Sequence, residues 1–165
     1  MSLLEPPQAT LDAALEEKRV ELADLIYRHT REDGTVQSAV GALFMSRYSY
    51  SSDFSPSLPQ PALCILAQGR KEVRLGDEYF AYDPLNYLVV SVSMPISGRV
   101  VEISPERAVL ALRLDIDPME IKTLISDAGP IGMPSRTAGR GLYVEPIDQV
   151  MLDALLRLTR LLDTP

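Results

Sequence analysis

The 165 residues carry 16 Lys and Arg against 23 Asp and Glu, a net charge of −7. That balance argues against a duplex-binding surface, which neutralises phosphates with lysine and arginine. The length suits one domain, the 46% apolar and 24% charged residues are ordinary for a globular protein, and no apolar run reaches membrane-spanning length.

Residues 1–10 lack a basic segment ahead of an apolar core and are expected to be disordered or artificially added; residues 11–165 read as one domain. A first helix is expected from Leu11 to Arg31, with Thr10 as N-cap and Gly34 as stop. Its apolar face, Leu11, Leu15, Leu22, Leu25 and Ile26, is narrow, which places it on the outside of something. Strands follow. "VGALFMSRYSY" is β-rich and leads into "SSDFSPSLPQP", dense in Pro and Ser and expected to be loop. "ALCILAQG" is apolar on both alternating faces, as in a strand covered on both sides. "KEVRLGDEYFAYD" reads as a hairpin turning at Gly76-Asp77, and its basic cluster "GRKEVR" as a solvated hairpin. "NYLVVSVSMP", "GRVVEIS" and "RAVLALRLDI" complete six or seven short strands, the pattern of a barrel or sandwich.

Asp117 and Pro118 then open a helix that stops at Gly129-Pro130. A Gly/Pro-rich connector follows, with a short strand at "GLYV". The last helix, Ile147 to Leu162, carries ten apolar residues in sixteen. One amphipathic stripe needs fewer, so it is expected to be covered on two sides, by its own barrel and by a partner subunit or further domain. Leu152, Leu155, Leu156 and Leu162 are the expected dimer contacts.

The chemistry points to binding. One histidine, His29, stands at the end of the first helix and no H-x-H pair exists, so neither a metal centre nor another cofactor is expected. No residue is assigned a catalytic role. Cys64 sits in "ALCIL", the setting of an inert thiol, and as the only cysteine it fits a reducing, cytoplasmic compartment. Ligand-binding barrels are mostly apolar inside, with a few orienting polar groups. Leu110, Leu112, Leu114 and Ile116 share one face of their strand, while Ala111, Arg113 and Asp115 share the other. Tyr87, Val89, Ser91 and Ser93 likewise oppose Leu88, Val90, Val92 and Met94. The mixed faces are candidates to line a cavity. Arg113, among apolar neighbours, needs an anionic partner, either Asp115 or Glu102 or a ligand. Tyr48 and Tyr50 are candidates for stacking.

The stretch Pro61–Pro118, with "LAQG", "YLVVSV", "SPER" and "LALRLD" in order, resembles the N-terminal, cupin-like domain of AraC-type transcription regulators. With "GLYVEPIDQVMLDALLRLTRLLDTP" the resemblance spans roughly residues 36–165. It implies a mainly β, cupin-like barrel or jelly roll with flanking helices that senses a small-molecule effector or dimerises. DNA would be bound only by a C-terminal pair of helix-turn-helix units, expected in the full-length protein and not expected within these 165 residues. By similarity to sugar-responsive members, Ala111 and Arg113 fall in the pocket and Val101 on a neighbouring strand. The strand faces read above add Ser91, Ser93 and Tyr48 as further effector-binding candidates. The polar and aromatic contacts of those members are not reproduced, so sugar specificity does not carry over. The expectation is a regulatory domain and no enzyme, the alternative being a stand-alone, metal-free cupin enzyme of the sugar isomerase or epimerase type.

Overall fold

Alternation along the strands divides their side chains between two separate cores. The computed structural model describes residues 8–101, 106–120, 123 and 141–164, with the backbone alone for residues 8–11. The first helix, α1 (Gln8–His29), is followed by β1 (Gly34–Gln37), β2 (Leu43–Tyr48), β3 (Ser55–Ser57), β4 (Ala62–Gln68), β5 (Arg70–Leu75) and β6 (Glu78–Tyr82). Then come β7 (Asn86–Val90), β8 (Ile96–Val101), β9 (Val109–Asp115), β10 (Leu142–Pro146) and the last helix, α2 (Gln149–Arg160), which runs into a 3₁₀ turn. One sheet has six strands in the order β1-β2-β9-β4-β7-β10, the other four in the order β3-β8-β5-β6, and every pairing is antiparallel.

The outer face of the six-stranded sheet, with Leu43, Met45, Ile65, Ala67, Leu110 and Leu112, is buried under Leu22, Leu25 and Ile26 of α1 and Leu152, Leu155 and Leu156 of α2. Its inner face packs Leu66, Leu88, Val90 and Val109 against Val73, Tyr82 and Val100 of the smaller sheet. The chain passes between the sheets at Gly69, whose φ of +93° suits glycine. A Cβ there would lie 2.4 Å from Cγ2 of Val109. The Gly76-Asp77 hairpin forms as expected, with Gly76 at φ +58°.

Several boundaries differ from the sequence expectation. Helix α1 begins at Gln8, so Thr10 lies inside its first turn and does not cap it. Gly34 opens the edge strand β1. Ser55–Ser57 pair with β8 inside the expected loop, and Pro56 is tolerated because the strand lies at a sheet edge. Strand β7 ends at Val90, short of the serines that follow. Asp117 accepts from the Met119 N–H at 2.9 Å, and Pro118–Glu120 are helical. The Gly129-Pro130 stop and Glu102 lie outside the described residues.

Helix α2 is covered on two sides, as its composition demands, but both covers belong to this chain. Of the ten apolar residues between Ile147 and Leu162, seven join the core between the sheet and α1; Val150, Ala154 and Leu161 remain exposed. Asp148 caps it, accepting from Met151 N–H at 2.8 Å. Ion pairs bind α2 and its 3₁₀ extension to α1: Lys18 to Asp153, Glu21 to Arg160 at 2.7 Å, and Arg28 to Asp163 at 3.0 Å. His29 closes the set through Asp163 at 2.8 Å, so its role is at the helix end, as its position suggested.

Candidate functional site

The inner layer does not close. Between the two sheets lies a cavity of about 450 Å³, within the range of small-molecule sites. Its apolar wall is Leu88 and Val90 of β7, Val73 of β5, and Ile96 and Val100 of β8. Its polar wall is Tyr48, Cys64, Lys71, Tyr82 and Arg113, while Tyr50, Ser52, Ser55–Ser57, Pro59 and Arg99 also line it. No aspartate or glutamate is among these residues.

Period-two geometry explains each position. On β9, Leu110 and Leu112 face the helices, so Ala111 and Arg113 face inward. Arg113 lies across from Phe44, its guanidinium 4.2 Å from the ring centre, and donates from Nε to Asp115 at 2.9 Å. Asp115 is thus the protein partner that the sequence offered. Tyr48 reaches inward from β2, its hydroxyl 3.2 Å from Thr35 Oγ1, and the Lys71 ammonium stands 5.6 Å from its ring centre. Tyr82, directly opposite Lys71 in the β5–β6 ladder, is 4% exposed.

The electrostatics of the lining follow from burial and the two inward cations. Burial works to raise the Tyr48 phenol, but the Thr35 hydrogen bond and the charges of Lys71 and Arg113 leave it lowered. Burial pushes the Cys64 thiol up, against the pull of Lys71 and Arg113. Burial raises the Tyr82 phenol well above its ordinary value.

Of the six residues expected at the pocket, Tyr48 and Arg113 line it, and Ala111 packs on the same inner face. The other three lie elsewhere. Val101, at the end of β8, is not among the residues that line the cavity. Ser91 bonds Gly141 O through its backbone N–H at 2.9 Å, and Ser93 Oγ lies 3.4 Å from Gln60 Oε1. The assignment of faces on β7 was reversed in function: its apolar residues Leu88 and Val90, and not the Tyr87 face, look into the cavity. Sequence reasoning passed over Lys71 and Tyr82. Their signal was there in the alternation of Lys71 with Val73 and in the pairing across the Gly76-Asp77 turn. Among the described residues no three His, Cys, Asp or Glu side chains converge as metal ligands. Leu152, Leu155 and Leu156 are spent inside the chain, at 4%, 3% and 1% exposure, and Leu162 packs beside them.

The family model of the AraC-type transcriptional regulator N-terminus matches residues 39–165. The chain belongs to that family. It is therefore a regulatory N-terminal domain of the AraC type, and its mainly antiparallel, two-sheet architecture with terminal helices is the cupin-like fold. No curated protein sequence matches it. Among solved structures it is similar in fold to apo ToxT from Vibrio cholerae, at 9% identity and a TM-score of 0.50, over 82% of this chain and 51% of that one. It is also similar to unsaturated fatty acid-bound wild-type ToxT, at 8% identity and a TM-score of 0.52, over 81% of this chain and 49% of that one. The chain thus spans about half the length of the ToxT chains. No helix among the described residues is long and apolar enough to cross a membrane.

Proposed function

We propose that this domain binds a small-molecule effector in the cavity between its sheets and passes the occupancy to the DNA-binding part of an AraC-type regulator in the cytoplasm. The carrying observation is the cavity itself, about 450 Å³ with one apolar and one polar wall. That the similarly folded ToxT has been solved with an unsaturated fatty acid bound supports a ligand-binding use of such a domain. Strand β9 supplies the route. Arg113 meets the cavity on one face, while Leu112 meets the helical layer on the other, so a shift of the strand is felt by α1 and α2. Binding without chemistry fits the lining, because burial keeps both the Cys64 thiol and the Tyr82 phenol protonated.

We propose further that the regulator works as a homodimer. With three of the four leucines buried, the contact would fall on the outward stripe of Val150, Ala154 and Leu161, where Val150 is 77% and Leu161 58% exposed. The test of the effector reading is a reporter strain carrying the intact regulator with Val90→Phe, which fills the cavity. Effector response should disappear while promoter binding persists. A folded variant with full response would refute the site.

A further inference from the structure

The hydrogen-bonding groups of the cavity are not balanced. Arg113 has Asp115 at 2.9 Å; Arg99 at the rim has Glu72 at 3.1 Å through one terminal nitrogen, while its Nε is buried without a partner. The Tyr48 hydroxyl is joined to Thr35, and Ser52 Oγ accepts from the Val100 N–H at 3.1 Å. Lys71, by contrast, makes no hydrogen bond and no ion pair with any described residue; its one contact of note is the Tyr48 ring. Being only partly buried, its ammonium has water to fall back on. The Tyr82 hydroxyl is likewise not joined by a hydrogen bond to any described residue. Tyr82 is 4% exposed and lines the cavity, so what is accessible of it opens on that space. A tyrosine this buried normally finds a partner, and here the cavity is where a ligand atom could supply one.

Lys71 and Tyr82 are directly paired across β5 and β6, so both donors come from one place on the smaller sheet. Lysine only donates, and burial keeps Tyr82 in its donating form. Two donors side by side, with no carboxylate in the lining, complement an anionic acceptor. Beyond them the wall is apolar. At roughly 30 Å³ per water in the liquid, the space equals about fifteen waters, more than a bare inorganic anion fills.

Resting on the effector reading above, we propose that the ligand is an organic anion. Its charged head is held by the Lys71 ammonium and the Tyr82 hydroxyl, and its apolar body lies against Leu88, Val90 and Val100.

The test compares decanoate with 1-decanol, its neutral counterpart, by titration calorimetry on the 165-residue protein. Decanoate should bind about tenfold or more tightly than decanol. Lys71→Met should cost decanoate about tenfold and leave decanol unchanged, with Lys71→Arg recovering part of the loss. Tyr82→Phe, which keeps the ring and its packing, should weaken decanoate about fivefold. Equal affinity for the two probes, no binding of decanoate, or undiminished decanoate binding by Lys71→Met would each overturn the anionic assignment. Val90→Phe separates the two readings. If decanol binds and this variant blocks it, the cavity stands as a site and only the anion fails. If a bound probe ignores it, the cavity reading fails as well.

Discussion

The six-stranded sheet is packed in opposite ways on its two faces. On the helical side Leu43, Ile65 and Leu112 meet α1 and α2 in a continuous apolar layer, and ion pairs close the seam between the helices. On the inner side the same strands present Cys64, Tyr48 and Arg113 to a cavity. The difference shows how one strand serves two purposes: alternation on β9 lets Leu112 hold the domain together while Arg113 faces a ligand space. Stability should therefore depend on the helical side and recognition on the inner side.

The largest expected effect is on the helical side. Leu156→Ala or Leu112→Ala, each removing a side chain only 1% exposed, should cost about 2–5 kcal/mol in urea unfolding. A cost below that range would mean the helical layer is not the main source of stability. Next comes the corner joining the two layers. Gly69→Ala must place a Cβ against Val109 at positive φ and should destabilise by about 1–3 kcal/mol. A sharper comparison enlarges one residue on each side. Leu112→Phe should cost about 1–3 kcal/mol, whereas Val90→Phe, on the cavity wall, should cost less. Equal costs would erase the distinction between the layers.

The smallest effect is electrostatic. Arg160 lowers the Glu21 carboxyl, and Arg28 and then His29 lower that of Asp163. With folded pKa values below the unfolded ones, these pairs stabilise fully above the ordinary carboxylate range near about pH 4. Their contribution is lost as pH falls through the lowered values. The gap in urea midpoint between wild type and Glu21→Gln should accordingly be present at neutral pH, shrink on acidification and shrink with salt.

Much of this arrangement was legible in the sequence. The split of Leu110, Leu112 and Leu114 from Ala111, Arg113 and Asp115, the Gly76-Asp77 turn, the doubly covered β4 and the short strand at "GLYV" all follow from local periodicity and turn chemistry. What escaped depended on the partner across space. The "GRKEVR" cluster reads as a solvated hairpin, yet β5 is an interior strand of the smaller sheet, and its parity turns Lys71 toward the cavity. Ser91 and Ser93 share the parity of Tyr87, the face that meets the helical layer, and they lie past the end of β7. Helix α2 advertises a second cover without naming it, and α1 supplies that cover from far earlier in the chain, as the span of 139 residues between Glu21 and Arg160 illustrates.

The central claim is that ligand enters between the sheets. One competing space is the 240 Å³ groove under α1, lined by Leu15, Leu22, Pro84, Leu85, Ile147 and Leu152. Methyl-resolved NMR with decanoate tests the two directly. The account predicts ligand-to-protein NOEs to Val73, Leu88, Val90 and Val100. NOEs confined to Leu15, Leu22, Leu85 and Ile147 would contradict it.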